Sequence, residues 1–131
     1  ATVPHLRAAG GGAVVTVASQ LGLVAVADAV AYCASKGAVI NMTRSMALDH
    51  AAEGIRVNCV CPGPTETPLS ASFFADTPDP AATLQAFKDA GVIGRLISPA
   101  EIAEAINYLA SERAKATIGA ALVVDAGYTV R

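Results

Sequence analysis

Tryptophan is absent from these 131 residues, and aromatic side chains make up only 5% of them. Small apolar residues take their place, a composition suited to helices packed closely on a sheet. Charge is also scarce: 9 basic residues stand against 11 acidic ones, a formal net charge of −2. That balance gives no electrostatic case for nucleic acid or for an anionic membrane surface. There are three cysteines, an odd number with no disulfide framework. Cys59-x-Cys61 has no second pair and no nearby histidine, so no metal site is expected. All three thiols read as small apolar residues in a reducing, cytoplasmic setting. There is no basic stretch ahead of the apolar run, so that run is not expected to be a signal peptide. Only His5 and His50 are histidines and no Gly-x-Ser-x-Gly elbow occurs, which argues against a serine hydrolase. Residues 8–27 carry no charge, yet Gly10, Gly11, Gly12, Gly22, Thr16, Ser19 and Gln20 interrupt them, and the strongly apolar core is only Val14 to Val17. A buried strand and a loop explain this run better than a membrane span. The first residue is not methionine, which suggests a segment upstream.

The length allows one domain at most. Residues 1–9 read as the end of a helix stopped by three glycines. AVVTVA (Ala13 to Ala18) is a continuous β-branched run, the pattern of a strand covered on both faces in a parallel sheet. Ser19 then falls at the strand's carboxyl end, where open α/β sheets place their ligand crevice. After a loop of small residues, Asp28 is a candidate N-cap. A helix is expected over residues 31–52, closed by Gly54. Its apolar surface is broad, including Val39, Ile40, Met42, Met46, Ala47, Leu48 and Ala51, which suggests a second buried face and a homodimer or homotetramer contact. IRVNCVC (Ile55 to Cys61) is the second strand, ended by Pro62-Gly63-Pro64. Residues 69–92 are the least patterned stretch, a candidate substrate lid, with a short helix begun by Asp79-Pro80 and carrying Leu84 and Phe87. Phe73, Phe74 and Phe87 either line a pocket or pack on one another. Ser98-Pro99-Ala100-Glu101 is a capping box followed by the stripe Ile102, Ile106 and Leu109. A third strand is expected over residues 121–125. The order β-α-β-(lid)-α-β implies parallel strands with right-handed crossovers.

The chemistry centres on Tyr32-Cys33-Ala34-Ser35-Lys36. A tyrosine and a lysine four apart share a helix face. Phenols ionise near pH 10 in water, and a fixed ammonium or a helix amino terminus nearby favours the phenolate. Such a pair is suited to moving a proton to or from an alcohol or carbonyl. Ser19, thirteen positions upstream, could hold the same substrate oxygen.

These segments together resemble the carboxyl-terminal half of a short-chain dehydrogenase/reductase. VASQLG with Ser19, YCASK with Tyr32 and Lys36, GIRVNCVCPGPTETPL, SPAEIAEAINYLAS and VVDAGY match the family's pattern in order over nearly the whole chain. The resemblance implies an α/β fold, the carboxyl-terminal part of a Rossmann-like doubly wound parallel sheet. It implies that Tyr32 is the general acid/base, that Lys36 favours its phenolate and binds the nicotinamide ribose, and that Ser19 orients the substrate oxygen. The Pro62-Gly63 turn, the backbone at Thr65 and the Thr67 side chain would hold the carboxamide of NAD or NADP. The implied reaction is reversible hydride transfer between nicotinamide and a secondary alcohol or ketone. Three residues between Tyr32 and Lys36 fit the alcohol branch better than the enoyl reductases, and a lysine at 36 argues against halohydrin dehalogenases. Thr65, Ile118 and Ala126 are mild departures. The larger one is that the family's domain is about twice this length. The glycine-rich pyrophosphate loop, the cofactor-selecting residue, the Asn-Asn-Ala-Gly turn and the assisting asparagine have no counterpart here. Gly10-Gly11-Gly12 precedes a strand rather than following one and cannot serve as that loop. The chain alone is therefore expected to be nearly inactive, with one strand flank open. The alternative is a non-catalytic α/β interaction or oligomerisation module.

Overall fold

A computed structural model describes residues 2–130 of the chain. It contains helix α1 (Thr2–Ala8), strand β1 (Gly12–Val17), helix α2 (Val30–His50), strand β2 (Ile55–Pro62), helices α3 (Pro68–Ala75), α4 (Pro80–Ala90) and α5 (Pro99–Ala110), and strand β3 (Ala121–Val124). The three strands form one parallel sheet in the order β1-β2-β3. The fold is the α/β class expected from the sequence.

β2 is the central strand, and its side chains alternate between two cores. Ile55, Val57, Cys59 and Cys61 face α2, meeting Ile40 and Ala47. Val60 faces the other way, toward Ile97 and Ile102 at the start of α5. Five of these side chains are fully buried, while Arg56 and Asn58, on the face of Val60, meet backbone groups. Burial of each large aliphatic side chain contributes about 1.5–3 kcal/mol.

This alternation corrects one expectation. Two successive crossovers advance in the same direction along the sheet, yet α2 and α5 lie on opposite faces. They therefore have opposite hand, and only one can be right-handed. The physical reason lies in the long path from Gly63 to Ser98, which carries α3 and α4 and lets the chain change faces before α5 begins.

β1 is less buried than its apolar sequence implies, and Val17 is 49% exposed. Among the described residues it pairs only with β2, so its other edge is open. Thr16 Oγ1 meets Thr43 Oγ1 of α2 at 2.7 Å, and Thr43 Oγ1 also donates to Val39 O.

The polar side chains of β2 anchor the segment that leads from α5 into β3. The Arg56 guanidinium donates to the carbonyls of Leu109, Ala110, Ser111 and Ala114, capping the carboxyl end of α5. Asn58, fully buried, donates to Thr117 O at 2.8 Å and accepts from Ala120 N at 2.9 Å. That amide reinforces the entry to β3 beside two backbone bonds, Gly119 N to Val57 O and Cys59 N to Ala120 O.

Helix ends explain most element boundaries. Ser98 and Glu101 form the expected capping box on α5. Arg95 grips the same Glu101 in a fork at 2.8 and 2.7 Å. Together these bonds hold the Glu101 carboxyl at about 2, well below the usual range, with the Arg95 hydrogen bond the largest cause. Asp79 accepts from Ala82 N to begin α4. Asp28 does not cap α2. It takes φ 60, Ala29 holds the N-cap position without a side-chain bond, and packing of a 21-residue helix supplies the stability. A further helix, α3, lies within the stretch that reads as unpatterned. Thr67 and Ser70 cap it reciprocally, an arrangement masked by a serine standing where a glutamate is usual.

Candidate active site

Three strand ends converge on one region. At the end of β1, Ser19 is buried, and Leu21 N donates to its Oγ at 3.1 Å, which leaves the hydroxyl proton uncommitted. This bond caps a short turn, Gln20–Gly22. Gly22 then lies directly on α2: a Cβ there would stand 2.8 Å from the Lys36 backbone carbon and oxygen. A side chain would push the loop off the helix, so glycine sets the spacing between the Ser19 segment and the Lys36 turn.

Tyr32 and Lys36 occupy the first two turns of α2. The Lys36 Nζ donates to Val17 O at 3.2 Å and stands 5.7 Å from the Tyr32 ring centroid. One carbonyl of β1 thus fixes the ammonium two residues before Ser19. Two of its three N–H groups remain for other acceptors. The Tyr32 ring is 48% exposed and its hydroxyl has no hydrogen-bond partner among the described residues.

At the end of β2, Gly63 N donates to Val124 O at 2.9 Å. A Cβ at 63 would lie 2.6 Å from Gln20 Oε1 and 2.7 Å from the Asp125 Cα. Gly63 therefore lets the Pro-Gly turn seat between the β1 and β3 ends. Gln20 is buried, and its Oε1 has no hydrogen-bond partner among the described residues. The turn is also clamped from beyond, since Ile97 N donates to Pro64 O and Glu66 N to Ile97 O. Thr65 Oγ1 donates to Gly63 O at 2.9 Å, and Ser70 Oγ donates to Thr65 O at 2.8 Å. Thr67 Oγ1 accepts from Ser70 N, so that hydroxyl also serves α3. No hydrogen bond joins Thr65 or Thr67 to Ser19, Tyr32 or Lys36 among the described residues. In the sequence Gln20 and Gly22 show only as interruptions of an apolar run, because they sit in a loop of small residues with no periodicity.

At the end of β3, burial works against the Asp125 carboxylate, but bonds from the Thr129 hydroxyl, Thr129 N and Gly127 N hold it below its ordinary value. Ala126 takes φ 58, where a β-carbon costs roughly 1–2 kcal/mol. Burial, with the neighbouring Cys59 thiol, pushes the Cys61 thiol up to about 12. No His, Cys, Asp or Glu cluster suited to a metal occurs among the described residues. No helix among them is long and apolar enough to cross a membrane.

A family model described as enoyl-(acyl carrier protein) reductase matches residues 1–129. A cis-4-hydroxycyclohexanecarboxylate dehydrogenase of Sinomonas cyclohexanicum is 50% identical over 125 residues, 95% of this chain and 48% of that protein. A short-chain dehydrogenase/reductase structure from Burkholderia xenovorans superposes with a TM-score of 0.93 at 33% identity, covering 98% of this chain and 50% of the other. A 4-hydroxyisoleucine dehydrogenase solved with NADH gives a TM-score of 0.82 at 33% identity, over 92% of this chain and 48% of that one. The chain belongs to the short-chain dehydrogenase/reductase family. It spans about half the length of the curated relatives it matches.

Proposed function

We propose that this chain carries the catalytic part of an NAD- or NADP-dependent oxidoreductase acting on a secondary alcohol or ketone. The observation that carries this reading is the Lys36 ammonium, fixed to Val17 O beside the Tyr32 ring at the strand end that bears Ser19. Tyr32 is the proton donor and acceptor for the substrate oxygen, and Ser19 offers that oxygen its uncommitted hydroxyl proton. Lys36, beside the Tyr32 ring, turns its two remaining N–H groups to ribose hydroxyls. That donor set, together with the Pro62-Gly63 turn, Thr65 and Thr67 at the end of β2, fits a nicotinamide nucleoside. When bound, the nicotinamide supplies the hydride acceptor or donor. The NADH in the 4-hydroxyisoleucine dehydrogenase structure is consistent with this fit. Residues 69–92 act as the lid over the substrate. Within it Phe73, Phe74 and Phe87 pack with centroids 5.1–5.9 Å apart, so they stiffen the lid more than they line a pocket.

The family model's description suggests enoyl reduction, whereas the three-residue spacing of Tyr32 and Lys36 favours the alcohol chemistry. The protein works as a homodimer or homotetramer through α2, whose Val30, Met42 and Leu48 are exposed. The 131-residue chain alone turns over little, because it has no glycine-rich loop for the pyrophosphate, and it resides in the cytoplasm. The test is an absorbance assay of the full protein carrying this chain, with NAD and NADP in turn, against secondary alcohols, ketones and an enoyl thioester. Alcohol or ketone turnover is expected. Turnover of the enoyl thioester alone would contradict the reading.

A further inference from the structure

A groove of about 370 Å³ opens where three segments meet at the carboxyl ends of β1 and β3. It is lined by Val24 and Ala25 from the loop joining Ser19 to Tyr32, by Ala90 at the end of α4, and by Tyr128 and Thr129 after β3. Two of the walls are joined, since Val92 N, just beyond the end of α4, donates to Ala126 O at 2.7 Å. One side of the groove is therefore small and apolar, and the other carries two hydroxyls.

Those hydroxyls have different chemistry. Thr129 Oγ1 spends its only proton on Asp125 Oδ2, at 2.6 Å, and can only accept from a ligand. The Tyr128 hydroxyl has no hydrogen-bond partner among the described residues and can donate or accept. Behind Thr129 stands the buried Asp125 carboxylate. No lysine, arginine or histidine lines the groove among the described residues, and Lys88, on the same helix as Ala90, is not part of its wall. An anionic substrate group offers only acceptors and would face the lone pairs of Thr129 with a carboxylate behind them. A neutral hydroxyl can donate to Thr129 and accept from Tyr128.

We propose that this groove seats the non-reacting part of the substrate, and that it takes an uncharged compound with a second hydroxyl, a diol or a sugar, while disfavouring carboxylates. The proposal rests on the alcohol/ketone oxidoreductase reading above and adds the substrate class. The test compares 4-(hydroxymethyl)cyclohexanol with 4-hydroxycyclohexanecarboxylate and cyclohexanol in the full protein carrying this chain. The diol is expected to exceed the carboxylate in kcat/KM by about tenfold or more, since a site built to hydrogen-bond a hydroxyl rejects analogues lacking one. Equal or better use of the carboxylate would overturn the proposal. Thr129→Val should raise KM for the diol about tenfold with little effect on cyclohexanol, and Thr129→Ser should restore it; equal effects on both substrates would also overturn it. Failure of every alcohol and ketone would overturn the oxidoreductase reading instead, and the groove would then be judged by NMR on the chain itself. There the Gly127 and Thr129 amides should shift with the diol and not with the carboxylate, and the opposite pattern or no shift would sink the groove.

Discussion

Asn58→Ala tests how the sheet is held in register. The Asn58 side chain makes two bonds to backbone, to Thr117 O at 2.8 Å and from Ala120 N at 2.9 Å, from a position with no exposure. Removing it leaves one carbonyl and one N–H without partners, at about 1–3 kcal/mol each when buried. Thr117 and Ala120 are only half-buried, so water can reach part of the gap and the lower half of that range applies. The expected loss is about 2–4 kcal/mol, corresponding to a fall in Tm on the order of 10 °C. Urea unfolding of the chain measures it, and an unchanged m-value would confirm that the loss lies in the folded state. Asn58→Asp keeps the acceptor but sets a carboxylate against Thr117 O, and should cost at least as much. A loss below about 1 kcal/mol for the alanine variant would refute the argument that this amide, beyond the backbone bonds of Gly119 and Ala120, orders the entry to β3.

Other consequences come from individual contacts. Glu101 titrates at about 2 in the folded chain against 4.5 ordinarily, so it favours folding above pH 4.5 and loses that contribution as pH falls toward 2. The stability gap between wild type and Glu101→Gln should therefore close across that window in acid denaturation, and a gap constant with pH would contradict the assignment. Cys59 and Cys61 are fully buried and Cys33 is half-buried, so a thiol reagent should label one cysteine quickly in the native chain and three in denaturant. Native labelling of all three at one rate would contradict the packing. Gly22→Ala places a β-carbon 2.8 Å from the Lys36 backbone, and should displace the Ser19–Gly22 turn and cut turnover of the full protein by about tenfold or more. Unchanged kcat would show that this spacing does not matter.

The parts of the fold that could be read from sequence are those decided locally. The run Ile55 to Cys61, ended by Pro62-Gly63-Pro64, announces a strand, and Ser98-Pro99-Ala100-Glu101 announces a helix start. The placement of Tyr32 and Lys36 on one helix face needs only the helical repeat. The α3 helix was hidden because its cap uses Ser70 where the usual signature has an acid or amide. Asp28 misled because a good capping residue is equally at home in the left-handed region. The change of face between α2 and α5 is invisible locally, since it depends on the route of a 36-residue connection and runs against the common handedness. Within the site, the strand-end position of Ser19 followed from β1, but the bond from Lys36 to Val17 O and the close packing of Gly22 and Gly63 arise only when distant segments meet.

The most direct test of the central claim replaces Tyr32 by phenylalanine in the full protein carrying this chain. The substitution removes one oxygen from a half-exposed ring and should leave folding intact, as circular dichroism and cofactor affinity would verify. Removing a general acid/base is expected to lower kcat for a secondary alcohol by about 10²–10⁴. A Tyr32→Phe protein that oxidises the alcohol at the wild-type rate would contradict the account.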